Sequence, residues 1–200
     1  MPYHISNKIS KNVAGFSIGE TLLAMFVLTM GILILVAYIS RNIRIASDTQ
    51  NIIIATELAQ EGVELMRNVR DNHLAISGNG FDPSQFPPAS GYGRIDYDDT
   101  GITTTGNQPS VTPSNYYLLY NVAAKRYSHA PLWSLPVQQL FSRYIYVKSL
   151  GTSSAPIFKV TSFVYWNGAV IPPNMESGLT SSCTIIQKCV YAEVEFTSWK

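Results

Sequence analysis

The chain has 200 residues, of which 14% are charged, and its formal net charge is +1. This charge balance excludes a dedicated polyanion-binding surface, so nucleic acid is not an expected partner. The length allows a membrane anchor and one globular domain. The histidines, His4, His73 and His129, are scattered along the sequence, so we expect no zinc site and no cofactor.

The N-terminal stretch joins a short basic leader to a long apolar run. Lys8 and Lys11 lie in the leader, residues 1–15, which contains no acidic residue. Residues 21–39 contain neither a charged residue nor a proline, and a helix of this length matches the hydrocarbon thickness of a bilayer. We expect a transmembrane segment at about 18–39, with the basic N-terminus on the cytoplasmic side.

A carboxylate stands at the edge of the apolar run. Glu20 has its nearest preceding basic residue at Lys11. A charged group close to the hydrocarbon carries a desolvation cost unless another charge compensates it. Glu20 is therefore a candidate functional residue.

The residues around the junction carry a resemblance to a known family. The string Ala14-Gly15-Phe16-Ser17-Ile18-Gly19-Glu20, with lysines before it and the apolar run after it, resembles the class III signal of type IV pilins and type II secretion pseudopilins. In that family a prepilin peptidase cuts after the glycine and methylates the new N-terminal phenylalanine. The resemblance implies cleavage between Gly15 and Phe16 and N-methylation of Phe16. Gly19 departs from the large aliphatic residue that often precedes the glutamate.

The resemblance also implies a role and a set of partners. Glu20, the fifth mature residue, would pair with the N-terminal amine of a neighbouring subunit. The partners would be the prepilin peptidase, other pilin subunits, an inner-membrane assembly platform and the cytoplasmic membrane. The subunit would first span that membrane and then enter an extracellular or periplasmic filament. The long loop and irregular head favour a minor pilin or pseudopilin.

Other interpretations of the N-terminal stretch remain open. A secretory signal peptide has a shorter apolar region, and an ordinary single-pass anchor does not explain the Gly-Phe junction. A membrane-tethered extracytoplasmic binding domain that does not assemble is the main functional alternative. An enzyme is not expected, because a hydrolase would have to bring Ser17, at the membrane edge, together with His73 or His129.

The helix is predicted to cover residues 16–72 and therefore to continue beyond the membrane. Apolar residues recur there at spacings of three or four, which marks one apolar face; they are Ile52, Ala55, Ala59, Val63, Met66 and Val69. Asn72, followed by Gly78-Asn79-Gly80, supplies the stop signal.

The remaining residues, 73–200, are predicted to form a globular head with a Gly-, Pro- and Asn-rich loop at 78–115 and one short strand at 94–97 within it. Residues 96–101 imitate the start of an EF-hand loop, but Asn107 stands where the bidentate glutamate is needed. A turn after a strand explains them better.

Four further strands are predicted from aromatic and β-branched residues; they cover 116–121, 141–149, 158–166 and 190–197. Along 158–166 the even-numbered residues should share one face, and the alternation in 190–197 predicts a sheet with one buried and one wet face. The expected fold is α+β, a long helix packed on an antiparallel sheet, which is also the architecture of the resembling family.

The two cysteines, Cys183 and Cys189, enclose five residues, a spacing that suits a small loop better than a metal or redox motif. Outside the cytoplasm a disulfide between them is permitted, and two buried thiols are the alternative. Many type IV pilins have a disulfide loop near the C-terminus, and this pair resembles a small version of it.

Overall fold

The computed structural model describes residues 17–78, 91–97, 99, 102–104, 116–129, 141–152, 157–166 and 182–197. The chain divides into two compact units, Met1–Ser47 and Asp48–Lys200. The second unit, called here the α+β unit, contains the C-terminal part of a long helix packed on an antiparallel sheet. The α+β fold class predicted from the sequence is confirmed.

The helix, α1, runs over Ile18–Ser77. Its first turn forms on the carbonyl of Ser17, which accepts from the backbone N–H of Glu20 at 3.0 Å and of Thr21 at 3.2 Å. It ends where Gly78 adopts a left-handed backbone with φ of 71° and donates its N–H to the Leu74 carbonyl at 2.9 Å.

The predicted end of the helix at residue 72 is wrong, because α1 continues to Ser77. Asn72 does not terminate the helix, since its side-chain amide donates to Asn68 Oδ1 at 2.8 Å on the preceding turn. No glycine or proline interrupts the chain between Gly62 and Gly78. Gly78 is the next glycine along the chain, and a glycine adopts the left-handed backbone of a helix end without steric cost.

The first unit contains the apolar part of α1. Every described residue from 17 to 47 is exposed within the chain. The helix is long and apolar enough to cross a membrane, and none of the residues in its most apolar stretch is buried. The apolar surface of this segment therefore has no cover within the described part of the chain.

Within the described residues, the sheet has seven strands. They are β1 Gly91–Arg94, β2 Thr103–Thr104, β3 Tyr117–Asn121, β4 Arg126–His129, β5 Phe141–Ser149, β6 Ile157–Trp166 and β7 Cys189–Thr197. All pairings are antiparallel, and β5 is central. One edge of β5 pairs with β6, which in turn pairs with β7. The other edge pairs with β1 near Val147 and with β3 near Phe141.

The predicted strands 141–149, 158–166 and 190–197 match β5, β6 and β7 to within one residue. The alternation predicted for β7 is confirmed, since its even-numbered residues from 190 to 196 are less exposed than their odd-numbered neighbours. The strand predicted at 94–97 is wrong, because the strand covers Gly91–Arg94, and the backbone N–H of Asp99 donates to the Asp96 carbonyl at 3.1 Å. The short strands β2 and β4 were not predicted.

The strands β5 and β6 are buried on both faces, so the prediction of one wet face is wrong for them. On one face the even-numbered residues of β6 pack against α1, as predicted; this helix-facing core includes Ala55, Leu58, Ala59, Met66, Val69, Phe141, Ile145, Val160 and Val164. On the other face lies an aromatic layer of Tyr92, Tyr116, Tyr144, Tyr146, Phe163 and Tyr165. The tyrosine-rich composition thus supplies a second buried layer.

The structure joins Cys183 and Cys189 in a disulfide, with their Cα atoms 5.0 Å apart. Both half-cystines are buried beside the aromatic layer, and the bond encloses a short 3-10 turn, Ile185–Gln187. The dipeptide Asn167-Gly168 also predicts a turn after the strand at 158–166, and it lies outside the described residues.

One glycine sets the closest approach of helix and sheet. A Cβ added to Gly62 would collide with Ser162 Oγ on β6 and lie 3.0 Å from Ile145 Cδ1 on β5. The helix therefore packs at a distance that excludes a side chain at this position.

Gly62→Ala should lower the free energy of unfolding of the α+β unit by about 1–3 kcal/mol, because overpacking a filled core forces its neighbours to shift. Denaturant titration of the full chain in detergent micelles, followed by near-ultraviolet circular dichroism, measures this. Gly31→Ala is the control, since a Cβ there meets nothing within 4 Å. Equal stability of Gly62→Ala and wild type would contradict the packing argument.

Candidate functional site

The predicted processing site lies at the start of the chain. Gly15 and Phe16 are outside the described residues. Glu20 occupies the first turn of α1, where a carboxylate interacts favourably with the positive end of the helix dipole. Glu20 is exposed, and no described residue forms an ion pair with it. The described part of the chain therefore provides no positively charged side chain that compensates the Glu20 carboxylate.

The α+β unit contains a second candidate site, which the sequence did not predict. It is a groove of about 510 Å³, called here the tyrosine groove. Its walls come from α1, from the turn after β1 and from the β3–β4 hairpin; they are Ile54, Glu57, Leu58, Glu61, Tyr97, Tyr120, Lys125, Arg126 and Tyr127. The lining combines aromatic faces with two carboxylates and two basic side chains, so the groove can contact apolar groups and pair with charges of either sign.

The β3–β4 hairpin forms one wall of the tyrosine groove. Tyr120 pairs with Tyr127 across the two strands, and their rings contact edge to face with centroids 5.2 Å apart. Asn121 Oδ1 caps the connecting turn by accepting from the backbone N–H groups of Ala123 and Ala124, both at 3.0 Å. Lys125 closes the turn with φ of 51°. These local contacts hold the aromatic wall in place.

Tyr97, which follows β1, lines the groove and contacts Arg126 of the hairpin. The Arg126 guanidinium lies 4.7 Å from the centre of the Tyr97 ring, a geometry in which the cation is attracted to the ring face. Tyr97 is 67% exposed and Tyr120 is 51% exposed. Burial, with a smaller contribution from Tyr120, raises the pKa of the Tyr127 phenol.

Beneath the groove lies a fully buried arginine. Arg143, on β5, has no exposed surface. Its Nη1 donates to the Leu58 carbonyl at 3.3 Å and lies 3.5 Å from Glu61 Oε2. Its Nη2 donates to the Ile95 carbonyl at 3.0 Å. Burial lowers the pKa of the guanidinium, and the carboxylates of Glu61 and Asp96 oppose this shift.

Asp96 and His129 complete this buried network. His129 Nδ1 lies 2.8 Å from Asp96 Oδ1, and Nε2 lies 3.0 Å from the Arg143 carbonyl oxygen. A carboxylate and a carbonyl both accept hydrogen bonds, so this geometry is satisfied when both ring nitrogens donate. The backbone N–H of His129 also donates to Asp96 Oδ1, at 3.0 Å. Asp96 thus receives two hydrogen bonds from one residue.

The network decides between the interpretations of the Asp-rich turn. Asp96 is bound to His129, and Asp99 Oδ2 accepts from the backbone N–H of Asp96 at 2.8 Å. These carboxylates stabilise the turn, which supports the turn interpretation over a calcium loop. Among the described residues, no group of three His, Cys, Asp or Glu side chains is placed to hold a metal.

No family model, curated protein or solved structure matches the chain. Function therefore rests on the chemistry of its own residues. The sequence did contain one signal for the network, since Arg143 is a lone charge in the strand FSRYIYV, flanked by aromatic and aliphatic residues. A charge in such a strand requires buried partners. Sequence spacing does not identify them, because Asp96 and His129 lie on other elements.

Acid should weaken the α+β unit through Asp96. Burial alone would raise the pKa of this carboxyl, but the hydrogen bonds and charge of His129, with the charge of Arg143, hold it below its usual value. A lowered pKa contributes stability that is complete above the unfolded value of about 3.9 and is lost as pH falls through the folded value. The unfolding midpoint of the wild type should therefore drop steeply below about pH 4.

Asp96→Asn should destabilise the unit by about 3 kcal/mol at pH 7, because it removes a carboxylate that lies 4.0 Å from the buried Arg143 guanidinium and accepts from the backbone N–H of His129, and it should flatten the acid dependence. Thermal unfolding of the full chain in micelles between pH 2 and pH 7 tests both effects. Gly62→Ala is the control, since it lowers stability while keeping Asp96. A variant slope as steep as that of the wild type would contradict the assignment to Asp96.

Proposed function

We propose that this chain is a structural subunit, a minor pilin or pseudopilin, of a type IV pilus or type II secretion-like filament. It is made as a cytoplasmic-membrane protein with its N-terminus inside and is cut by a prepilin peptidase between Gly15 and Phe16. The observation that carries the proposal is the uncovered apolar helix that begins at Ile18 and has Glu20 in its first turn. The Gly15-Phe16 junction directly precedes it.

The exposed helix surface supports the proposal energetically. Large apolar side chains between Ile18 and Ile39 are 50–80% exposed. Burying each one is favourable by about 1.5–3 kcal/mol, so an aqueous environment for the whole segment is strongly disfavoured. Lipid covers such a surface in a membrane, and neighbouring helices cover it in a filament. The segment is suited to both environments because it carries no charge between Glu20 and Arg41.

Cleavage supplies the charge that Glu20 lacks. Cutting after Gly15 creates an α-amino group at Phe16, four residues before the carboxylate. This amine pairs with Glu20 of an adjacent subunit as the helices leave the bilayer. Gly19, Ala24 and Gly31 allow neighbouring helices to approach closely, and a Cβ at Gly31 would meet nothing within 4 Å of its own chain. A repeated contact between different surfaces generates an open filament.

A membrane-tethered binding domain is the second candidate function. The tyrosine groove favours it, because exposed aromatic rings beside charged groups are common in recognition surfaces. Such a protein needs neither cleavage at Gly15 nor contact between copies. Processing and assembly therefore discriminate the two functions.

In cells that contain a prepilin peptidase, the mature chain should begin at N-methyl-phenylalanine 16. Intact-mass and N-terminal peptide mass spectrometry of the membrane fraction measures this. Gly15→Ala should leave the leader attached, since the resembling signal places a glycine before the cut. A wild-type chain that still begins at Met1 would require the filament proposal to be abandoned.

Glu20→Ala should still be inserted and cleaved but should enter filaments about tenfold less, because close charge pairs at interfaces contribute about 1.5 kcal/mol or more. Immunoblots of sheared filaments, normalised to the membrane pool, give the ratio. Glu64→Ala is the matched control, since it removes an exposed carboxylate from the same helix, where it pairs only with Arg67 at 2.6 Å in the described structure. Wild-type incorporation of Glu20→Ala would count against the proposed pairing.

A further inference from the structure

The tyrosine groove and the disulfide-enclosed turn lie at opposite sides of one end of the sheet. At that end Leu118 of β3 pairs with Phe141 of β5, which pairs with Trp166 of β6. The N–H of Trp166 then donates to the Lys188 carbonyl at 3.1 Å. The row continues to β4 on one side and to residues 184–188 on the other. Two different surfaces therefore stand at the two lateral ends of one row.

The turn, called here the isoleucine turn (residues 184–188), is closed by a disulfide and exposes two isoleucines. The Cys183–Cys189 disulfide closes it, and the hydroxyl of Thr184 accepts from the backbone N–H of Gln187 at 3.4 Å. Ile185 is 57% exposed and Ile186 is 94% exposed. A turn already fixed in one conformation loses little entropy when it binds. Two neighbouring isoleucines on such a turn form a compact binding element.

The tyrosine groove has the shape and charge to receive this element. Ile54, Leu58 and the rings of Tyr120 and Tyr127 give it apolar walls. Glu57 lines it, and no described residue forms an ion pair with this carboxylate. The isoleucine turn carries one charge, that of Lys188, which is opposite in sign.

The basic residues of the groove leave this complementarity in place. Arg126 is already stacked on Tyr97. Lys125 belongs to the hairpin turn that projects beyond the β3–β4 pairs. The isoleucine turn offers no acidic group to either of them. The groove has two carboxylates, and Glu61 already lies 3.5 Å from Nη1 of the buried Arg143, so Glu57 is the one without an ion pair among the described residues.

We infer that the isoleucine turn of one copy docks in the tyrosine groove of a second copy of this chain. The contact joins two different surfaces at opposite ends of a row, so it links two copies that are neighbours in a filament and does not close into a two-fold dimer. Ile186 packs against the contacting rings of Tyr120 and Tyr127, and Lys188 pairs with Glu57. The inference rests on the proposed filament function, since it requires copies of this subunit to lie next to each other.

Site-specific photo-crosslinking tests the contact. A benzophenone amino acid replaces Ile186 in the full chain, filaments are sheared from irradiated cells, and the adduct is located by peptide mass spectrometry. The expected adduct joins residue 186 of one copy to residues 54–61 or 120–127 of another. The same probe at Ile76, which is 85% exposed but lies at the C-terminal end of α1, is the matched control and should not label the groove.

A charge exchange tests the pairing independently. Lys188→Glu should reduce the yield of the residue 186 adduct about two- to fivefold, the effect of one partly exposed ion pair. Glu57→Lys alone should reduce it similarly, and the double variant Lys188→Glu with Glu57→Lys should restore it. Restoration excludes a fold defect as the cause of the losses.

The outcomes separate this inference from the filament proposal. If filaments contain the chain with mature Phe16, but residue 186 labels another protein or another surface, the docking inference is overturned and the filament function stands. Absence of rescue by the double variant would also overturn it. If the chain is neither cleaved at Gly15 nor present in sheared filaments, the filament proposal fails, and the docking inference fails with it.

Discussion

The buried guanidinium of Arg143 is the constraint on which the arrangement of the α+β unit depends. Removing an arginine from water costs several kcal/mol unless its donors find acceptors. Those acceptors come from separate elements: the Leu58 carbonyl and Glu61 on α1, and the Ile95 carbonyl beside Asp96 after β1. The helix and the first hairpin region must therefore reach their native positions together. His129 joins β4 to the same network, which fixes the walls of the tyrosine groove from below.

The single helix α1 solves two different packing problems. From Ala55 to Val69 one face is buried against β5 and β6, and the other faces carry charged side chains such as Glu64 and Arg67. Between Ile18 and Ile39 apolar residues cover every face, and none is buried within the chain. A face-specific pattern stabilises packing on one partner, whereas an all-round apolar surface requires an apolar environment on all sides. This contrast distinguishes residues 18–39 of the helix, which are apolar on every face, from the part that belongs to the α+β unit.

The periodic features of the sequence predicted most of the fold, and the non-local contacts explain the errors. Strand β7 alternates between a packed and a wet face, so its pattern was readable. In β5 and β6 both faces are covered. The burial of Tyr144 and Tyr165 raises the pKa of each phenol, for Tyr165 to about 12. Because a tyrosine in a strand is compatible with an exposed face or a buried one, the second buried layer could not be predicted. The tyrosine groove depends on pairs such as Tyr120 with Tyr127 and Arg126 with Tyr97. The hairpin sequence AAKRYSH contains few aromatic or β-branched residues, so it does not predict a strand. Because β4 forms part of the groove wall, the groove was not predicted either.

The lateral edges of the sheet favour side-chain docking over strand pairing between copies. Strand β4 has four residues, so adding a strand to it would form only a few hydrogen bonds. Strand β7 is longer but carries Glu193 and Glu195 on its exposed side, and Glu193 is held by Lys159 at 2.9 Å. Short strands and charged side chains are common ways of blocking edge-to-edge aggregation. The proposed contact between the isoleucine turn and the tyrosine groove uses neither edge hydrogen-bond row. It therefore leaves these edges unchanged and depends on apolar packing and one charge pair.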